Sequence, residues 1–125
     1  MIYLDTHVVV WLYEGKKERF PNRIRNILTD GELLVSPVVV LELQYLFETG
    51  RLKTGAKDVM DYVTSRSGLT NCPLPFDQVV TSALNESWAR DPFDRIITAQ
   101  ARLADAVLLT KDKAIQKHYA RAKWG

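Results

Sequence analysis

Cysteine is almost absent from this sequence, since Cys72 is the only one in 125 residues. A single cysteine excludes a disulfide within the chain and any metal site built from several thiolates. So little cysteine is typical of a reducing compartment, and we expect a cytoplasmic protein. Histidine is scarce too, and His7 and His118 cannot form a histidine-rich zinc site by themselves.

Long apolar runs are also missing. Residues 38–41 and 106–109 are apolar, but a membrane-spanning helix needs about 20 such residues. We therefore expect no membrane association. No basic group precedes the first apolar residues and Asp5 interrupts them early, so we expect no signal peptide. The net charge of +2 permits a polyanionic partner without arguing for one.

What remains is the composition of an ordinary globular protein, with 46% hydrophobic and 26% charged residues. A chain of 125 residues can bury a real core without disulfide or metal staples. The sequence has no repeat, low-complexity segment or linker. We predict one domain over residues 1–125.

Short apolar segments alternate with segments of helical spacing. Strands are predicted at residues 2–4, 33–35 and 106–109, with an edge strand around residues 70–75 because Pro73 and Pro75 exclude a central position. Helices are predicted at residues 8–13, from 21, and at 37–47, 53–65, 76–88, 92–104 and 112–121. This alternation predicts a parallel sheet covered by helices on both faces.

Two acidic residues follow predicted strands, Asp5 after the first and Asp112 after the last. Ligands of parallel sheets bind beyond the carboxyl ends of the strands. Both residues are therefore candidates for a site, with Thr110 beside Asp112 at its rim. The simpler interpretation is that each only caps the helix that follows it.

Glu42 lies in a helix with few polar positions. Gln44 and Glu48 mark its polar face, and Glu42 lies roughly opposite them. A carboxylate on the core-facing side is costly unless a cation, hydrogen bonds or a metal compensates it. A site residue is favoured over a glutamate that merely reaches out of the core.

The segment Arg90-Asp91-Pro92-Phe93-Asp94-Arg95 reads as a helix start. Asp91 is a good N-cap and proline suits the first helical position. Asp91 is aligned with Arg95, as in a solvent-exposed pair, whereas Asp94 shares its face with apolar or small residues. We therefore assign Asp94 to the site and Asp91 to the cap, with an accessory role open to it.

Asp5, Glu42, Asp94 and Asp112 together predict an acidic cluster at one edge of the sheet. Converging like charges persist only with a cation or with bound protons. Oxygen ligands without cysteine or paired histidine favour Mg²⁺ or Mn²⁺ over zinc. Divalent metals held by acids typically serve phosphoryl chemistry.

Basic residues offer candidate contacts to phosphate. Arg90 and Arg95 flank the acids, and Lys111, Lys113 and Lys117 belong to a basic stripe near the C-terminus. The alternative is an ordinary solvated helix face. Most aromatic residues of the first and third helices, including Trp11 and Tyr45, are expected to lie in the core, with some of them open to an exposed apolar groove.

Four motifs resemble the PIN-domain family, specifically its VapC-type ribonuclease toxins. They are residues 4–7 with 11–12, 36–42, 90–101 and 109–112, and together they extend from end to end of the chain. The resemblance implies a three-layer α/β/α sandwich on a parallel sheet of about five strands. It also implies a Mg²⁺-dependent endoribonuclease, usually dimeric, inhibited by a cognate antitoxin and leaving 5′-phosphate and 3′-hydroxyl ends.

Carried over by position, the resemblance makes Asp5 and Asp94 the metal ligands, with Glu42 completing the acidic site. Asp112 matches a more variable fourth acid, which leaves one or two metals open. Thr6 and Thr110 match small hydroxyl positions beside the site.

Two other functions compete with this interpretation. A phosphoacceptor domain is disfavoured, since His7 stands where a dehalogenase pattern needs a second aspartate. The stronger rival is a non-catalytic RNA-binding or scaffold PIN-like protein with a vestigial metal site. The sequence names neither the RNA target nor the antitoxin.

Overall fold

The computed structural model describes all 125 residues. Five parallel strands form one sheet in the order β3-β2-β1-β4-β5. The strands are β1 (Ile2–Leu4), β2 (Leu33–Val35), β3 (Thr70–Asn71), β4 (Val107–Leu109) and β5 (Ala122–Lys123).

Seven α-helices connect and follow these strands. They are α1 (Thr6–Glu14), α2 (Asn22–Asp30), α3 (Pro37–Glu48), α4 (Ala56–Ser67), α5 (Phe76–Ala83), α6 (Pro92–Leu103) and α7 (Lys113–His118). A short 3₁₀ helix occupies Lys17–Arg19. None of the helices is long and apolar enough to cross a membrane.

The central strands are buried on both faces of the sheet. All three residues of β2 are buried, although neighbouring residues of a strand point to opposite faces. A parallel sheet of this kind needs helices on both sides. The predicted α/β/α sandwich with a five-stranded parallel sheet is confirmed.

The chain changes direction along the sheet between β1 and β4. From β1 it runs outward through β2 to β3, and it then returns to place β4 and β5 on the other side. The residue after β1, Asp5, donates its backbone N–H to the Leu109 carbonyl of β4 at 3.0 Å. Ligand sites of open α/β sheets lie at such a reversal of strand order.

Local signals set most helix ends as predicted. Ser36 is the N-cap of α3 and Pro37 is the first residue of that helix. Asp91 and Pro92 have the same positions at the start of α6. Gly15 ends α1 with a φ of 68°, a conformation that glycine adopts without steric cost.

Two predicted helices are longer than the real ones, and one strand was missed. Helix α5 ends at Ala83 instead of residue 88, and α7 ends at His118 instead of 121. The missed strand is β5, which pairs with β4 through Leu108 and Leu109. A two-residue Ala-Lys strand has no local signature, because its pairing depends on a partner distant in sequence.

Candidate functional site

A cavity of about 1050 Å³ is lined by residues that follow β1 and β4 and by residues of α1, α3 and α6. We call it the acidic cavity, because five carboxylates line it: Asp5, Glu42, Asp91, Asp94 and Asp112. The structure thus brings together the four acids predicted as catalytic, with the accessory Asp91 beside them.

Asp5 is the most tightly held of these acids. It caps α1, and its Oδ1 accepts a hydrogen bond from the Thr6 backbone N–H at 2.8 Å. Its Oδ2 accepts from the Thr110 hydroxyl at 2.6 Å. Because Thr110 follows β4, this bond joins the ends of the two strands that flank the reversal. The side chain of Asp5 is buried and fixed in one orientation.

Glu42 projects from α3 towards the same cavity and is half-buried. The Thr6 hydroxyl donates a hydrogen bond to its Oε1. Thr6 and Thr110 therefore each orient one carboxylate. Thr110 also accepts from the Asp112 backbone N–H at 3.0 Å, so a single hydroxyl contacts both Asp5 and the start of α7.

Asp91 and Asp94 lie at the start of α6 and line the acidic cavity. Asp91 is exposed and caps the helix by accepting from the Phe93 backbone N–H at 2.8 Å, while Asp94 is half-buried. The expected pairing of Asp91 with Arg95 is wrong. Arg95 instead donates to the carbonyl oxygens of Ala83 and Leu84 at 3.1 to 3.2 Å, where it caps the end of α5.

Burial and like charge act together on the acids. The pKa of Asp94 is raised to about 7, mainly by burial and then by the negative charges of the other four acids. Burial also raises the pKa of Asp5, against the hydrogen bonds from Thr110 and Thr6. The pKa of Glu42 is raised for the same reason, and Asp5 adds to it. Burial, with the neighbouring negative charges added to it, thus disfavours the ionised forms of these acids.

The donor chemistry of the cavity fits a hard divalent cation. None of the five acids takes part in an ion pair, so the protein supplies no direct counter-charge. Carboxylate and hydroxyl oxygens are the donors that Mg²⁺ and Mn²⁺ prefer. No group of three His, Cys, Asp or Glu side chains lies at metal-ligating distance, so the acids share a cavity without forming a closed ligand set.

The basic residues divide into two groups. Arg90, Lys111 and Lys113 line the acidic cavity, and their contact with RNA phosphates stays a prediction. Lys117 and Arg95 do not line it. The acidic cavity therefore gives no support to the prediction that Lys117 and Arg95 contact RNA.

The sequence interpretation missed several residues of the cavity. Arg51, Trp11, Tyr45 and Phe93 line it. Trp11 also packs against the core, as expected, whereas Tyr45 is 47% exposed. Tyr45 could have been found, because it is three residues after Glu42 and shares its helix face. Arg51 carried no signal, because it lies beyond the end of α3.

The chain is similar to known proteins both in its sequence pattern and in its fold. A model of the PIN domain matches residues 2–121. A search of curated protein sequences finds no significant match. Solved structures that resemble the chain include VapBC2 from Rickettsia felis, bound to a DNA fragment from its promoter, with 20% identity and a TM-score of 0.65 over 94% of this chain and 92% of that chain.

Two further structures are similar in length as well as in fold. VapBC-1 from nontypeable Haemophilus influenzae has 18% identity and a TM-score of 0.67, covering 100% of this chain and 97% of that chain. FitAcB from Neisseria gonorrhoeae has 21% identity and a TM-score of 0.55 with the same coverage of both chains. At these identities the likeness establishes the fold alone.

PIN domains are generally nucleases, and the carboxylates of this chain line a cavity at the reversal of its strand order. The family model accounts for nearly the whole chain, and this protein belongs to the PIN-domain family.

Proposed function

We propose that this protein is a Mg²⁺-dependent endoribonuclease and the toxin of a toxin–antitoxin pair. The observation that carries the proposal is the acidic cavity, where five carboxylates converge without an ion pair. A site that collects negative charge in this way needs a cation before it can approach a phosphodiester.

Asp5, Glu42 and Asp94 are the residues that would hold Mg²⁺, with Mn²⁺ as a substitute. A divalent ion bound there would supply neutralisation of the phosphodiester charge and would lower the pKa of a bound water. Asp112 stands as the fourth acid and leaves room for a second ion. Metal binding would require the acids to rearrange, since no three of them lie at ligating distance.

The remaining residues orient the acids and attract the substrate. Thr110 and Thr6 hold Asp5 and Glu42 through their hydroxyls. Arg90, Lys111 and Lys113 lie in the same cavity and would bind RNA phosphates. Because the acids are arranged at the carboxyl edge of the sheet, the substrate approaches from that edge.

The test is an RNA cleavage assay with purified protein. We expect cleavage with Mg²⁺, none with EDTA, and recovery with Mn²⁺, with 5′-phosphate and 3′-hydroxyl ends on the products. Sequencing of the cleaved ends would also name the target. RNA that stays intact in every metal would contradict the enzymatic proposal.

One observation favours the alternative, a non-catalytic RNA-binding or scaffold protein with a vestigial metal site. It is the lack of three acids at metal-ligating distance. Binding of RNA without cleavage in the same assay would support this alternative.

The proposed partners are a cognate antitoxin and a second copy of the chain. The similar structures of VapBC and FitAcB support the antitoxin, and a small open reading frame next to the gene would be its expected source. Phe76 and Leu84 of the α5 region are exposed by 69% and 68%, which supports a dimer face. Light scattering of wild-type protein and Leu84→Glu would test it.

A further inference from the structure

Two aromatic rings of the acidic cavity each have a cation over one face. The Arg51 guanidinium carbon lies 6.0 Å from the centre of the Tyr45 ring. The Lys111 Nζ lies 5.9 Å from the centre of the Trp11 ring. All four residues line the cavity together with the acids. The metal chemistry proposed above uses neither ring.

Both rings are held by neighbouring side chains, and the Tyr45 ring is also accessible. The Trp11 ring packs against Phe20 and Trp124 at centroid distances of 6.3 and 5.5 Å. A second cation, the Arg19 guanidinium, has its central carbon 5.3 Å from the centre of the same ring. Tyr45 contacts the Phe93 ring at 6.2 Å and is 47% exposed. A ring held by its neighbours loses little conformational freedom when a ligand stacks on it.

A ring beside a cation matches the chemistry of a nucleotide, which joins a flat base to a phosphate. Stacking of a base on an aromatic side chain raises affinity by about 5- to 150-fold, and the cation adds a salt-dependent contact to phosphate. The two pairs come from different elements, with Tyr45 on α3 and Trp11 on α1. Two such pairs in one cavity fit a strand better than a single nucleotide.

We propose that Tyr45 with Arg51, and Trp11 with Lys111, form two nucleotide subsites that bind bases and phosphates of the RNA strand at the acidic cavity. The proposal rests on the ribonuclease function and adds base recognition to it. Stacking on these rings requires that the two bases are not paired with another strand.

Another ring–cation pair, which lies outside the cavity, provides the matched control. The Arg66 guanidinium lies 4.4 Å from the ring centre of Tyr62, which is 39% exposed on α4. Tyr62 and Tyr45 thus have similar exposure and a similar cation, but only Tyr45 lines the acidic cavity.

The experiment measures RNA binding in the Asp94→Asn background with Mg²⁺ present, because the proposed function requires a cation among the acids, and a gel checks that the strand stays intact. A short RNA carrying 2-aminopurine reports stacking through its fluorescence. We expect Tyr45→Ala to weaken binding about tenfold and to abolish the stacking signal at one position, as loss of one base contact predicts. Tyr45→Phe should bind within about twofold of the parent, because it keeps the ring. Tyr62→Ala should leave binding unchanged.

Arg51→Gln and Lys111→Gln test the cations. Each should weaken binding and lower the slope of log K against log salt by about 0.7, the value for one phosphate contact on a single strand. The cleavage assay should show the same Tyr45→Ala loss as a higher KM with little change in kcat.

The experiments distinguish failure of the ribonuclease function from failure of the two nucleotide subsites. Wild-type protein that leaves RNA intact would overturn the ribonuclease function. Cleavage with equal binding by Tyr45→Ala and its parent would overturn only the subsites. A Tyr45→Ala variant that changes the oligomeric state and not RNA binding would assign this surface to a protein interface instead.

Discussion

Helix α3 separates two cavities that are similar in size and different in chemistry. The acidic cavity has a volume of about 1050 Å³, and a second one of about 810 Å³ lies between α3 and α4. We call the second the α3/α4 groove, lined among others by Leu41, Gln44, Met60, Asp61 and Thr64. Size alone does not tell which of the two is functional.

The polar groups of the α3/α4 groove satisfy one another. Asp61 pairs with Lys57 at 2.9 Å. The Gln44 side chain donates to Glu48 at 3.0 Å and accepts from the Ala56 backbone N–H at 3.2 Å. In the acidic cavity no carboxylate has an ion pair and three have a raised pKa. Uncompensated charge, which costs stability, therefore distinguishes the acidic cavity from the groove and supports the proposal that the acidic cavity is the functional one.

The largest expected effect comes from Asp5→Asn. We expect cleavage to fall about a thousandfold or more, because the variant loses a carboxylate at the proposed metal site. Asparagine is also a good N-cap, so the start of α1 should persist and circular dichroism should be unchanged. Asp61→Asn in the α3/α4 groove is the control and should cleave normally. Equal rates for wild type and Asp5→Asn would contradict the assignment.

Glu42→Gln should lower cleavage by about a hundredfold, because the amide still accepts from Thr6 but carries no charge for a metal. Glu48→Gln, on the exposed side of the same helix, should have no effect on the rate. The comparison is made under single-turnover conditions. If both variants lose activity alike, α3 matters through its folding and not through Glu42.

Thr110→Val should reduce cleavage by about tenfold, because Asp5 loses the hydroxyl that orients it. Stability should also fall by about 1–2 kcal/mol, measured by denaturant unfolding. Thr64→Val is the matched control, since the Thr64 hydroxyl donates to the Leu69 carbonyl at 2.9 Å beside the α3/α4 groove. It should cost similar stability and leave the rate unchanged. A fall in rate for both variants would erase the distinction between the cavities.

The smallest effect is a gain in stability from Asp94→Asn in metal-free protein. The pKa of Asp94 is raised from 3.8 to about 7 by burial and by the neighbouring acids, so its ionisation above that pH opposes folding. Asparagine removes this cost, which is on the order of 1 kcal/mol at about pH 8 once solvent screening of a half-buried carboxyl is allowed for.

The sign of this effect depends on pH. The gain should shrink as pH falls through 7 and disappear below about 4, where the wild-type carboxyl is protonated in both folded and unfolded protein. Thermal unfolding in EDTA at several pH values measures it, with Asp61→Asn as the control that gains nothing. A gain that is the same at every pH would show that charge is not its cause.

Much of the fold could be predicted from local sequence. Strands β1 and β2 are short apolar segments between helix signals, and both have the predicted bounds. Caps and prolines set the starts of α3 and α6 through bonds that span a few residues. Helix periodicity also predicted the inward helix faces on which Glu42 and Asp94 lie, because the face of a residue follows from its spacing alone.

Other features depended on contacts between distant residues. Strand β5 exists because it pairs with β4, and Arg95 contacts the end of α5 instead of the nearby Asp91. The raised pKa of Asp94 arises from burial and from acids of other elements. No local pattern encodes these partners.

The sequence by itself thus determined the alternation of strands and helices, the helix starts and the acids that face inward. The tertiary structure decided which strands are neighbours, which cations reach the acidic cavity and that Trp11 and Tyr45 line it. The physical reason is range. Capping bonds and periodicity act within one or two turns of chain, whereas strand pairing and charge interactions depend on groups that only the folded chain brings together.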